Sequence, residues 1–299
     1  MTEPLKYHAG EIAVQQRADA FDPADLAGNG LATSFDSRVS GFLYLQRWAV
    51  ISGLDQEANI WVSCLWGPPG FLKVEEAGSL AIHAHLPEND PLNATFTDTG
   101  QIGIVVLDPA TRRRTRINGT ARSDGKTFHV STREVYANCP KYIQRREVSS
   151  ESDTIAASVE SYSVLREPQQ RWIERADTFF IGTMNAEAGL DCSHRGGNPG
   201  FVRATGPNTI TFPDYAGNNM FQTLGNLELD SRAGLLFIDF ETGSTLQLSG
   251  RAIVHWDKER LTSWSGAQRV IEFHVERIYE TAQALPLRWR LLDYSPFNP

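Results

Sequence analysis

The chain has 299 residues, of which 41% are hydrophobic and 21% charged, the profile of a globular protein with room for about two domains. Its net charge of −8 argues against nucleic acid or an anionic membrane surface as the main partner. Cys64, Cys139 and Cys192 are widely spaced, with no CxxC or Cys/His grouping, which excludes a disulfide framework and a zinc site; no metal is expected. No stretch approaches the ~18 apolar residues of a membrane span. The expectation is therefore a soluble cytoplasmic protein with free thiols.

The elements repeat along the chain. Trp48 to Phe71 (WAVISGLDQEANIWVSCLWGPPGF) aligns without a gap on Thr178 to Phe201 (TFFIGTMNAEAGLDCSHRGGNPGF), with eight of 24 positions identical at an offset of 130. Gly103 to Ala121 then aligns on Gly234 to Ala252 at an offset of 131. Two blocks in the same order read as a duplication. In the first copy, GIVVL–DPAT–RRRTRINGTA predicts a hairpin opened by Asp-Pro. Arg112 to Arg116 falls on its second strand, either as a charged edge strand or as a phosphate or partner site. His83 and His85 alternate on a strand and read as surface or packed histidines.

Residues 138–146 (NCPKYIQRR) carry Asn138 as an N-cap candidate and Pro140 near a helix start. The serine-rich 149–163 stretch is the linker candidate, which puts the boundary near residue 165 and two units at 1–165 and 166–299. A helix at 167–176 leads into the second copy. There FFIGTM, TITF and the hairpin GLLFIDF–ETGS–TLQLSGRA are β-rich. The fold class is mainly β with a few helices.

The chemistry concentrates in that copy. Ser193-His194-Arg195-Gly196-Gly197 and Asp214-Tyr215-Ala216-Gly217-Asn218-Asn219 combine glycine-rich turns with a guanidinium, a pattern suited to phosphate. FQTLGNLELD follows as a short helix whose start would favour an anion. The same residues can equally be plain turns. No GxSxG or other nucleophile motif is present.

SHRGGNPGFVR, TITFPDYAGNN, LGNLELDSRAGLLFIDFETG and LQLSGRA resemble the pyridoxamine 5'-phosphate oxidase-like superfamily of FMN-binding split barrels. RINGTA, NCPKYIQRR, LPLRW and SPFNP are similar to a long subgroup within it. The resemblance implies two tandem split β-barrels, with Ser193, His194 and Arg195 along the flavin and its ribityl phosphate. Asp214, Asn218 and Asn219 would meet the phosphate end, and Lys141 and Gln144 would face the cofactor. Oxidases of the superfamily usually carry Ser-Arg-Lys where this chain has Gly217-Asn218-Asn219, so Arg195 is expected to carry more of the neutralisation.

The first copy lacks that turn and has Cys64-Leu65-Trp66 opposite His194-Arg195-Gly196, so one phosphate site per chain is expected. Trp48, Trp61 and Trp66 are either core residues or an aromatic wall for the ring. The implied function is an FMN-dependent oxidoreductase acting on a small organic substrate, with a nicotinamide donor or a reductase as electron partner. The alternative is a flavin- or haem-binding protein without its own reaction. A homodimer is a further possibility, since split-barrel relatives often pair.

Overall fold

The computed structural model describes residues 6–137, 139–152 and 158–299. Three helices come first: α1 (Ala9–Arg17), α2 (Phe21–Gly28) and α3 (Ser37–Tyr44). α1 opens with a reciprocal cap, in which His8 Nδ1 accepts the Gly10 N–H and the Glu11 carboxylate accepts the His8 N–H. Seven strands follow: β1 (Trp48–Leu54), β2 (Ile60–Trp66), β3 (Leu72–Glu76), β4 (Ser79–Ile82), β5 (Gly100–Asp108), β6 (Arg113–Ser123) and β7 (Phe128–Ala137). They pair in the order β2-β1-β5-β6-β7-β4-β3.

β8 (Arg145–Glu151), β9 (Val159–Tyr162) and α4 (Glu167–Arg175) lead to the second set. It comprises β10 (Thr178–Asn185), β11 (Gly189–Gly196), β12 (Arg203–Gly206), β13 (Thr209–Tyr215), α5 (Gln222–Leu229), β14 (Arg232–Ile238), β15 (Thr245–His255), α6 (Lys258–Leu261) and β16 (Ala267–Thr281). The order is β11-β10-β14-β15-β16-β13-β12, with β9 added on β16. Finally β17 (Leu287–Asp293) returns to pair with β8. Among the described residues no helix is long and apolar enough to cross a membrane.

The two sheets have the same order, strand for strand, and their registers keep the offsets read from the sequence. Ser52 faces Gly103 as Gly182 faces Gly234, and Ile51 faces Ile104 as Ile181 faces Leu235. A register shift at Asn118/Gly119 recurs at Ser249/Gly250. The fold is two split β-barrels in tandem. Strand alternation explains each core: on β6, Ile117 and Ala121 turn into the first, while Phe179 and Ile181 of β10 turn into the second.

A third core lies between the barrels, where Trp48, Val50, Val62, Val105, Phe180 and Leu236 meet. Burying each of these large side chains contributes roughly 1.5–3 kcal/mol. Gly103 and Gly234 make the close approach possible. A Cβ on Gly103 would lie 2.6 Å from the Asp191 carbonyl carbon, and one on Gly234 2.6 Å from the Ile60 oxygen. α1 belongs to the proposed unit 1–165 in sequence, yet it packs on α5 of the second barrel. There Gln15 Nε2 donates to the Met220 carbonyl at 3.2 Å.

The helix expected over 138–146 is not formed. Asn138 lies outside the described residues; Pro140 to Ile143 make a turn with Tyr142 at a left-handed φ of 65°, and the chain then enters β8. Pairing with β17 gives this backbone a ladder that a helix of so few residues, whose Pro140 donates no N–H, could not match. The serine-rich stretch contributes to β8 and forms β9, with 153–157 outside the described residues. The helix expected at 167–176 is α4, and both predicted hairpins form as β5–β6 and β14–β15.

Candidate anion cleft between the barrels

A cleft of about 80 Å³ opens where β6 of the first barrel meets β11 and β13 of the second. Alternation along β6 sends Arg114 and Arg116 away from the first core and toward the second barrel. β11 contributes Ser193, His194 and Arg195. Lys141 and Tyr142 come from the turn before β8, which lies directly on the end of β11. Glycine is needed at that crossing, since a Cβ on Gly196 would sit 2.0 Å from the Tyr142 carbonyl oxygen. Asp214, Tyr215, Gly217 and Asn218 close the far side.

The charges in this cleft are unequally compensated. Arg116 pairs with Asp191, which also accepts from Tyr136 and Asn118 and is almost wholly buried. Burial opposes the Arg116 charge, but the Asp191 carboxylate outweighs it and the guanidinium's pKa is raised. Asp214 accepts from Arg269 at 2.8 Å, so it is an anchored carboxylate rather than a group free to meet a phosphate. Arg114 and Arg195 have no carboxylate partner among the described residues. Arg114 Nη1 contacts His194 Nδ1 at 3.1 Å, and Arg195 Nη1 donates to Ser193 Oγ at 3.3 Å. Their Nε atoms are buried without a partner, as is His194 Nε2.

Burial, then Arg116 and Arg195, push the Arg114 guanidinium down to about 9. Burial lowers Arg195 as well. For His194, burial followed by Arg114, Arg195 and Arg146 holds the imidazolium well below its usual range. The cleft thus concentrates positive charge that an anionic ligand would relieve.

Six of the eight residues expected at the site line this cleft: Lys141, Ser193, His194, Arg195, Asp214 and Asn218. Two do not. Asn219 stands outside it, with a left-handed φ of 60° that asparagine tolerates. Gln144 is buried and holds the 295–298 segment: its Oε1 accepts the Ser295 N–H and Asn298 Nδ2, while its Nε2 donates to the Asp177 and Gly197 carbonyls. Asn218 spends its amide inside the loop, accepting the Met220 N–H and donating to Met220 Sδ. The lining ends at Asn218, so the start of α5 is not part of the cleft.

The arginine run, read either as a charged edge strand or as a phosphate or partner site, does not lie on an edge. β6 lies between β5 and β7, so it is an inner strand and not a charge-guarded edge. Arg112 leaves the set, bonding the Ile143 carbonyl and Asp293, and Arg113 lies over the Phe42 ring. Of the two readings of the tryptophans, core or aromatic wall, the wall is not found in this cleft. Trp48 packs edge-on against Phe180 and Trp289, Trp61 donates to Asp55, and none of the three lines the cationic cleft. Its aromatic surface is Tyr142, Tyr215 and Phe201, with the two tyrosine rings 5.2 Å apart. His83 bonds Thr127, and no group of three or more metal-ligating side chains occurs among the described residues.

Residues 165–282 match the family described as pyridoxamine 5'-phosphate oxidase. Solved structures with similar folds include HupZ of Group A Streptococcus, at 17% identity over 40% of this chain and 99% of that one, TM-score 0.33. An FMN-binding protein of Syntrophomonas wolfei is 11% identical over 38% and 84%, TM-score 0.30. A protein of Clostridium acetobutylicum related to general stress protein 26, of the pyridoxinephosphate oxidase family, is 10% identical over 41% and 89%, TM-score 0.28. No curated protein matches. The matched segment spans α4 and the whole second barrel, so the similarity to the pyridoxamine 5'-phosphate oxidase family is carried by that barrel.

Proposed function

We propose that the cleft between the barrels binds FMN by its phosphate, and that the chain is an FMN-dependent oxidoreductase acting on a small organic substrate. The observation that carries this reading is the pair Arg114 and Arg195, two guanidiniums from different barrels that share a cleft and lack any carboxylate partner among the described residues. The donors fit a phosphate: orphaned Nε atoms, planar forks and Lys141 alongside. Arg114, Arg195 and Lys141 would hold the phosphate, and Ser193 supplies a hydroxyl. Tyr142, Tyr215 and Phe201 offer the flat apolar surface that a flavin ring requires.

Bound flavin would supply the two-electron redox chemistry. The chain's own part is to neutralise, orient and shield. Cys64 and Cys192 are buried and their pKa values are raised, by burial first and then by neighbouring carboxylates, whereas the half-buried Cys139 lines the cleft itself. The test is an absorption spectrum of the purified protein and a titration of stripped protein with FMN, followed by anaerobic reduction with NADH or NADPH. FMN bound at submicromolar Kd and reduced faster than free FMN supports the oxidoreductase. Binding without such reduction reduces the reading to flavin binding, and no binding removes it.

A further inference from the structure

Arginine has five N–H donors and no acceptor. The Arg114 Nη1 contact at 3.1 Å is therefore a hydrogen bond only if His194 Nδ1 accepts, which leaves the ring proton on Nε2. Nε2 is buried and without a partner, on a residue that lines the cleft. The ring is kept in place by Phe180, edge-on at 5.7 Å between centroids, and by the backbone crossing at Gly196, where an added Cβ would come 3.1 Å from His194 Cε1.

We infer that His194 is a fixed, neutral Nε2–H donor for an acceptor atom of the bound cofactor, and that this tautomer selects flavin against haem in the cleft. The inference rests on the FMN reading of the same site. Ligation of a haem iron through Nε2 would put the proton on Nδ1, where it would point at the N–H of Arg114. The charged groups around the ring are Arg114 and Arg116 of β6, Arg195 of its own strand, Arg146 of β8 and Lys141 of the adjoining turn. Asp191, two residues before Arg195's neighbour Ser193, is engaged by Arg116. Asp214, the carboxylate that lines the same cleft, is engaged by Arg269, so neither acid is free to pair with the ring and His194 is a positioning donor.

Two-bond proton–nitrogen correlation of histidine-labelled protein reads the tautomer directly. The expected pattern is neutral, protonated on Nε2, from about pH 5.5 to 8, with the Nε2 resonance moving when FMN is added. In FMN titrations His194→Phe should weaken binding about tenfold, and His194→Gln, which keeps a side-chain N–H, should stay within about threefold of the parent. Haemin added to the parent and to His194→Phe should give the same Soret band. An imidazolium near neutral pH, a proton on Nδ1, unchanged affinity in His194→Phe, or a Soret band that depends on His194 would each overturn the inference. A parent protein that binds no FMN overturns the proposed function instead, and the tautomer result still stands on its own.

Discussion

The molecule carries two equivalent clefts with opposite chemistry. At offsets of 130 and 131, Ser63, Cys64, Trp66, Thr245 and Gln247 take the places of Ser193, His194, Gly196, Arg114 and Arg116. Cys64, Trp66, Thr245 and Gln247 line the second cleft, which has about 30 Å³ of space. Asp90 occupies it, accepting from Ser63 Oγ at 2.8 Å, with Gln247 Nε2 bonded to Ser63 Oγ and the Val62 carbonyl. One fold, used twice, thus builds a cationic hollow and an acidic plug. The side chains at four or five positions decide which, since strand order and register are shared. What separates the two clefts is uncompensated buried charge and not the barrel.

The comparison breaks most sharply at the arginines. Replacing both Arg114 and Arg195 with Ala should abolish measurable FMN binding in a fluorescence-quenching titration. Each single replacement should remove roughly 1.5–3 kcal/mol, or about 10- to 150-fold in Kd. The sequence alone favoured Arg195 far above Arg114; comparable single effects are now expected, and an unaffected Arg114→Ala protein would return the site to the second barrel alone.

Asp191→Asn should act on stability more than on binding. It leaves Arg116 buried beside Arg114 without its carboxylate, a change that costs roughly 3–5 kcal/mol for a buried pair, seen as a lower urea midpoint.

In the acidic cleft, burial raises the Asp90 pKa to about 6. A carboxyl raised in the folded state contributes stability that is full below its unfolded pKa and is lost as pH rises through the folded value. Melting temperatures should therefore lose a component between about pH 4 and 6 that Asp90→Asn does not lose. A parallel pH dependence in both proteins would show that Asp90 is not the source.

The smallest effect on binding is expected from Gln144→Ala. It frees the Ser295 N–H and Asn298, lowering the melting temperature, but FMN affinity should shift by less than about threefold because Gln144 does not line the cleft.

Much of the architecture was legible in the residues. The glycine and proline positions shared by Trp48–Phe71 and Thr178–Phe201, and the hairpins around Asp108 and Asp239, announce a repeated β unit because turns demand particular residue types locally. The helix expected at 138–146 failed for the opposite reason: its fate depended on β17, some 150 positions away, offering a partner for β8. Ser193, His194 and Arg195 were visible as a motif. Asp214 was equally visible, but its pairing with Arg269 could not be read from either segment.

By itself, the sequence determined that the chain repeats, that it is mainly β, and that a glycine-flanked guanidinium sits in the second copy. Only the tertiary structure decided that the first copy supplies Arg114 and Arg116 to that same cleft, that Trp48 and Trp61 are core, and that Gln144 fastens the 295–298 segment. The physical reason is that turn preference and strand alternation are short-range, whereas compensation of a buried charge depends on whichever groups distant strands bring within a few ångströms.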